Sequence, residues 1–513
     1  MDADVIIVGA GPVGLLLAAE LRLGGAHPLV VERLDEPAEQ TKARGIGPLA
    51  TEALWRRGLG PQLDQARPGG TRDLARDHGT TLGHFANLHK LVPDERRRGT
   101  QIWQPELERV LTAHAEELGV RILRGHRLVA LEPDPGSAHA GAGDGDGDGD
   151  GDGDGVTIVV ATSRGERRLR ARYVVGCDGG HSTVRQLAAF PFPGTPALLR
   201  TIAGRVRFSG PVPAPGRYDT GTFLRGGDMA GVTEPAAAGH GPGRRATAEH
   251  GPDGPVTARE LAAAIRRVTG ADVRIEEIHD DRRFGDQARQ AATYRLGPVF
   301  LAGDAAHVHS PSGGQGLNLG LMDAMNLGWK LAAVVRGDAP PALLDTYTRE
   351  RHPAGEAVLR NTRAQSALLA PGPHVDALRD VMDEVLDLPA ANRYFTELLS
   401  GVNLRYDLPY PAPAPAGRHC PDLELVIVND DDGRDSGDGA VSRLHEHLRT
   451  GRGLLLLTPR TRDLARYAAG RVEVVTVTNT EPLLLRPDAV IAWQAGDEAS
   501  LAVALDTWFG PPR

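Results

Sequence analysis

The turn GAGPVG spaces Gly9, Gly11 and Gly14 as GxGxxG, directly after the apolar run DVIIV and directly before the helix-like stretch VGLLLAAELRLGG. Such glycines have separate tasks. The first permits a tight turn, the second lets the backbone approach a pyrophosphate, and the third lets helix lie close on strand, while the helix N-terminus attracts the anion. Pro12 lies inside the same turn. Glu32 ends the next β-type run, HPLVVE, 18 residues after Gly14, where a carboxylate accepts hydrogen bonds from an adenosine ribose. The pattern is that of a dinucleotide site and does not separate FAD from NAD.

Two further constellations lie downstream. In YVVGCDGGHSTVRQ (173–186) a β-type run ends at Asp178 and Gly179 before a helix-like start, with Cys177 reading as a small buried residue. From Val299, VFLAGDAAHVHSPSGGQGLNLGLMDAMNLGWKLA runs a strand into Gly303 and Asp304; Pro311 and glycines 313, 314 and 316 then turn the chain into a helix from about residue 317. The N–H groups at that helix start favour negative charge in front of them, as on a flavin N1–C2=O edge that becomes anionic on reduction. His307 and His309 have no ligand-like array of Asp, Glu or Cys beside them, so packing or loop hydrogen bonds is their reading and no metal is expected.

These residues need elements to hold them. Residues 4–32 form one βαβ unit. From Gln104, QPELERVLTAHAEELG puts Leu107, Val110, Leu111 and Leu118 on one helical face and stops at Gly119. Residues 133–155, ending in GDGDGDGDGDGDG, separate the β-type runs RLVALE and VTIVVAT and read as an expanded, solvated hairpin loop. They lack the apolar residue at every ninth position that calcium-binding glycine repeats require. Residues 190–285 read as an antiparallel sheet with one helix, TARELAAAIRRV, and a helical zone runs on to about residue 400. YDLPYPAPAPAGRHCP reads as a polyproline-type linker. After it, 421–513 alternate β-type runs with the helices AVSRLHEHLRT, RDLARYAA and EASLAVALDTW. The division expected is therefore 1–189, 190–285, 286–402 and 421–513.

At 513 residues the chain has length for several cores. Its net charge of −9 and 41% hydrophobic content exclude a basic nucleic-acid binder and a wholly disordered chain. Six aspartates of the Gly/Asp repeat carry most of that charge. Cys177 and Cys420 are the only cysteines, too few for a disulfide framework, so a reducing cytoplasm is expected. The N-terminus begins with Asp2 and Asp4 where a leader would have basic residues, and no apolar run is long enough to span a bilayer, so no membrane contact is expected.

With the three motifs in order, the chain resembles the class A flavoprotein monooxygenases, and most closely the bacterial aromatic polyketide hydroxylases and rifampicin monooxygenases, over nearly its whole length. The resemblance implies an α/β fold: a Rossmann-like FAD-binding domain, an inserted antiparallel substrate sheet and a C-terminal thioredoxin-like domain. That last domain has no CxxC, which leaves packing or a homodimer contact as its role. By position, Glu32 would bind the adenosine ribose, Arg33 and Arg44 would lie near adenosine and pyrophosphate, and Gln104 would contact the FAD. Asp178 belongs to an element implicated in both FAD and NAD(P)H binding. Gly303 and Asp304 would hold the ribityl or pyrophosphate part, and Pro311, Gly316, Leu317 and Asn318 would border the isoalloxazine ring. The chain departs from the family at Ala50 and Thr51, where a second arginine is frequent, and at Pro298, where an arginine is common.

The activity so implied is hydroxylation of a large multi-ring aromatic. By the resemblance, NADPH or NADH would reduce the flavin, O2 would add to give the C4a-hydroperoxide, and an electron-rich ring carbon would take its distal oxygen. The absence of a second GxGxxG agrees with transient binding of the nicotinamide. No general base is evident. The substrate would lie between flavin and the 190–285 sheet, with Phe223, Met229 and Phe284 as candidate lining residues. Baeyer–Villiger insertion, inactivation of a rifamycin-type antibiotic and a non-catalytic flavin-binding partner protein are the alternatives. The WxWxIP element of flavin halogenases is absent.

Overall fold

The computed structural model describes residues 1–39, 42–67, 85–133, 155–236, 254–428 and 440–511. Most of the Gly/Asp repeat lies outside them. Its two flanking runs do pair: Arg127–Pro133 lies antiparallel to Val156–Thr162. Among the described residues no helix is long and apolar enough to cross a membrane.

Five strands build the parallel core in the order Val299–Leu301, Gly165–Gly176, Ala3–Val8, Pro28–Val31, Arg121–Leu123. Pro28–Val31 and Val299–Leu301 are apolar and buried along their whole length, as parallel strands in the middle of a fold are. Val5, Ile6, Ile7, Val30, Val31, Val174 and Val175 are all fully buried or nearly so. Gly165–Gly176 does two jobs: its first half pairs antiparallel with Val156–Thr162 and its second half parallel with the first strand.

Helix Pro12–Leu23 is buried almost all round, since it lies between that sheet and the long helix Gln315–Val335. Leu15, Leu16, Leu17 and Leu21 face the core. The second sheet is antiparallel, in the order Arg274–Gly285, Leu199–Ser209, Met229–Pro235, Gly221–Gly226, Gly216–Tyr218. Helix Ala258–Thr269 covers one face, with Thr257 Oγ1 capping it by accepting from Glu260 N and Gly270 closing it in the left-handed conformation.

The last hundred residues form a small α/β unit. Leu454–Leu457 pairs parallel with Glu473–Thr476 and antiparallel with Leu483–Leu485, which pairs antiparallel with Ile491–Gln494. Helix Glu498–Phe509 matches its sequence pattern. The other two expected helices do not form as drawn. Ala440–Arg443 is a strand leading into a 3-10 turn, Leu444–Leu448, and only Ala465–Ala468 of the second is α-helical. Both segments are short, so helix propagation gains little, and the first is drawn into antiparallel pairing with Glu424–Ile427.

The proline-rich segment is not an extended spacer either. It doubles back so that Tyr406 N donates to Gly417 O and Arg405 reaches Ala416 O and Ala412 O. Buried ion pairs then lock the C-terminal unit to the rest. Arg57 grips Glu20 with two bonds of 2.6 Å while donating to Leu448 O and Pro487 O. Arg486 likewise grips Glu350 at 2.6 and 2.9 Å.

Candidate functional site

Register brings the motifs together. Val8 pairs with Val31 and with Gly176, and Gly176 pairs with Leu301, so four strands end on one line. Each strand leads directly into a motif: Gly9, Glu32, Cys177–Asp178 and Ala302–Gly303. Backbone bonds continue the alignment past the strand ends, from Gly9 N to Val31 O, Cys177 N to Val8 O and Ala302 N to Gly176 O, each 2.8 or 2.9 Å. The edge beyond the carboxyl ends of parallel strands is where such folds bind ligands.

The first turn shows why it is built of glycine. Gly9 has φ +110°, and a Cβ there would stand 2.5 Å from Cys177 O; a Cβ on Gly14 would stand 2.0 Å from Gly9 O. Gly11 is different: a Cβ there would meet no protein atom within 4 Å, so its face is open towards the site. Pro12 occupies the first helical turn. Glu32 accepts from Ala10 N at 2.8 Å and Leu34 N at 2.9 Å. A carboxylate has about four acceptor positions, so room remains for a diol. Arg33 is exposed beside it.

Gln104 begins helix Gln104–Glu117, and its Nε2 donates to Glu108 Oε1 at 2.8 Å. Burial raises the Glu108 pKa above the usual value, with Gln104 and Lys42 opposing. The Asp178 carboxylate accepts from Ser182 Oγ, Thr183 N and Val184 N, and so starts the short helix Thr183–Leu187. Burial raises its pKa against these bonds.

The third motif closes the site. Gly313 and Gly314 are both left-handed (φ 77° and 62°), which turns the chain from Pro311 into helix Gln315–Val335. Gly316 and Leu317 lie in its first turn, where N–H groups have no intrahelical partner. Asn318 clamps two helix starts together, its Oδ1 accepting from Gly47 N at 2.6 Å and its Nδ2 donating to Gly314 O at 2.9 Å. Asp304 is exposed on the same side. His309 lies between them: its Nδ1 bonds Ser310 O at 2.7 Å, and its Nε2, 3.3 Å from where a Gly316 Cβ would be, has no partner among the described residues.

Sequence reading missed what holds the Gly303 loop. Asp323, wholly buried, accepts from Gly303 N at 3.0 Å, from His307 Nε2 at 2.7 Å and from Arg351 Nε at 2.7 Å. Burial alone would push its carboxyl up, but Arg351 and His307 hold it below the usual range. Arg351 continues to Tyr406 Oη at 2.8 Å. Asp323 stands inside the third motif, yet nothing in its spacing marks it as the anchor. His307 is thus accounted for by Asp323.

The three candidate lining residues separate. Phe223 is corrected: it is fully buried with Leu261, Ile265 and Val268 against helix Ala258–Thr269. Strand alternation puts Met229 and Phe284 on the other face, half-buried and exposed respectively. Arg44 is exposed in the loop before helix Pro48–Arg56 and lies within electrostatic range of Arg282 and Asp228 at the rim of that other face.

Comparison with known proteins agrees with this arrangement. Residues 2–362 match the family described as FAD binding domain, and residues 414–512 match the family described as aromatic-ring hydroxylase, C-terminal. The chain is 38% identical over 547 residues to the 12-dehydrotetracycline 5-monooxygenase/anhydrotetracycline 6-monooxygenase of Streptomyces rimosus, covering 100% of both. It is 38% identical over 521 residues to the rifampicin monooxygenase of Streptomyces venezuelae, covering 99% of this chain and 98% of that one. The solved anhydrotetracycline hydroxylase from Streptomyces rimosus superposes with a TM-score of 0.84 at 37% identity, covering 100% of both chains. The chain belongs to the FAD-binding-domain family of flavoprotein monooxygenases, and carries that family's aromatic-ring hydroxylase C-terminal region.

Proposed function

We propose that this protein hydroxylates a large, multi-ring aromatic compound, using bound FAD, O2 and electrons from NADPH or NADH. The observation that carries the reading is the single line on which four strand ends present Gly9, Glu32, Asp178 and Gly303, faced by the start of helix Gln315–Val335. Glu32 takes the adenosine ribose, and the open face at Gly11 takes the pyrophosphate with Arg33 and Arg44 supplying positive charge. Gln104 borders the same cofactor, and Asp304 takes the ribityl chain. The amides of Gly316, Leu317 and Asn318, next to Pro311, face the flavin edge that becomes anionic. Asp178 acts indirectly, by holding the turn behind Gly9. The flavin supplies the redox chemistry; the protein supplies orientation, shelter from water and positive potential.

Two relatives of equal identity carry names with different compounds, 12-dehydrotetracycline or anhydrotetracycline and rifampicin, so both scaffolds belong in the test. Purified protein is offered anthraquinones, angucyclines, anhydrotetracycline and rifampicin with NADPH, and products are weighed. Stimulated NADPH oxidation with gain of one oxygen supports hydroxylation. Bound FAD with no stimulation by any compound overturns it.

A narrower result checks the cofactor geometry. Asn318→Ala removes both the Gly47 and the Gly314 bond, each ordinarily worth about 1 kcal/mol. FAD affinity, read from flavin fluorescence on titration, is expected to fall roughly tenfold. Unchanged affinity would mean that the two helix starts are positioned by packing alone.

A further inference from the structure

The antiparallel sheet has one free face. On its covered face Ile202, Phe223 and Val232 stand in one row against helix Ala258–Thr269. The next row, on the opposite face, reads Arg282, Ala203, Gly231, Leu224 across four strands. Neighbouring strands are about 4.8 Å apart, so this row spans roughly 14 Å. The two middle positions carry almost no side chain, which makes the row a shallow trough with Arg282 at one end and Leu224 at the other. Leu224, at the far end of the row, and Phe284, on the same face beside Arg282, are 41% and 36% exposed.

Arg282 is unusual among its neighbours. Arg205 is paired with Asp228, Arg207 with Glu276 and Glu277, and Arg283, on the covered face, makes two bonds to Glu260. Arg282 Nε is buried and has no hydrogen-bond partner among the described residues. A one-residue register shift between His279 and Arg282 sets its position. Burial and the guanidinium of Arg44 lower its pKa, with only Asp280 opposing. A half-buried cation beside another cation gains most from an anion placed between them. Its planar fork suits an oxygen anion and stacks on aromatic rings.

We propose that Arg282 anchors the substrate by binding a negatively charged oxygen, an ionised phenol, enol or carboxyl, on a flat ring system lying along the Ala203–Gly231 trough. The inference rests on the monooxygenase reading and adds the residue that selects among aromatic ligands. Arg44 completes the positive corner where the trough meets the cofactor side of the site.

The test uses FAD-loaded protein, with 1,2-dihydroxyanthraquinone at a pH where it is ionised and its neutral dimethyl ether as probes. Binding is read from perturbation of the flavin visible spectrum. The wild type is expected to bind the ionised probe at least tenfold more tightly than the ether. Arg282→Gln should erase that preference with FAD affinity unchanged, and Arg282→Lys should keep part of it. No preference in the wild type, or an undiminished preference in Arg282→Gln, overturns the proposal. So does a loss in Arg282→Gln that falls on FAD affinity or on the KM for NADPH, because the guanidinium would then serve a cofactor phosphate. The two readings fail separately. If the preference is present and depends on Arg282 but no aromatic stimulates NADPH oxidation, the monooxygenase reading falls and the anchor stands.

Discussion

Arg486→Met lowers the unfolding free energy by about 3–5 kcal/mol, the cost expected for stranding buried charge. Arg486 is fully buried. Besides Glu350 it bonds both oxygens of Asp488, at 3.0 and 2.6 Å, and its guanidinium lies 4.4 Å from the centre of the Trp508 ring. Lys330 adds a bond of 2.8 Å to Glu350, and Asn326 bonds Glu350 as well. Burial pushes the Glu350 carboxyl up, but Arg486 and Lys330 together hold it far below the usual range. The same burial lowers the Lys330 pKa to about 8. Removing Arg486 leaves two carboxylates against one weakened ammonium.

The loss is read as a lowered midpoint in urea unfolding. Arg486→Lys should fall between the two, since it keeps the charge and loses the fork. Arg207→Met, on an exposed pair, should change stability by less than about 1 kcal/mol. A similar effect from both methionine variants would mean that the buried cluster contributes nothing special to docking the C-terminal unit.

The second large effect is a pH dependence centred on His419. The residue is 4% exposed, neither ring nitrogen has a hydrogen-bond partner among the described residues, and it stands edge-on to Tyr406. Burial lowers its pKa to about 3, Asp488 opposing and Arg56, Arg351 and Arg486 adding to the shift. An unfolded histidine takes its proton near pH 6.5. Between those values the unfolded chain binds the extra proton, so stability is full above about pH 6.5 and falls as the pH drops. The loss reaches about 2 kcal/mol by pH 5. Glu350 and Asp323 extend the decline, because carboxyls held low in the folded state lose their contribution as the pH falls towards the folded values. His419→Leu should flatten the melting temperature between pH 5 and 7 and leave the steeper loss below it. An unchanged profile would place the acid sensitivity elsewhere.

The parts of this protein that were legible in its sequence are those in which a residue type answers a local backbone demand. Gly9 and Gly14 stand where a Cβ cannot fit. Glu32 stands at the end of a strand, and Gly313 and Gly314 stand where the chain must turn left-handed. Period-two and period-3.6 patterns likewise located the core strands, helix Gln104–Glu117 and helix Ala258–Thr269. Such features depend on a few adjacent residues, so one chain suffices to read them.

What failed depended on residues far away in the chain. Phe223 was grouped with Met229 and Phe284, but the docking of helix Ala258–Thr269 decided that Phe223 is core and that Leu224, Met229 and Phe284 share the open face. Asp323 looked like any residue of a long helix and anchors the Gly303 loop. The expected helix at 440–450 gave way to a strand paired with Glu424–Ile427 and a 3-10 turn, and that at 462–469 keeps only Ala465–Ala468 as α-helix after a 3-10 turn. Sequence alone thus determined the cofactor turns and the family. Tertiary structure decided which charged side chains are satisfied, because that depends on every partner packed around them, and it therefore decided that Arg282 is left facing the open trough.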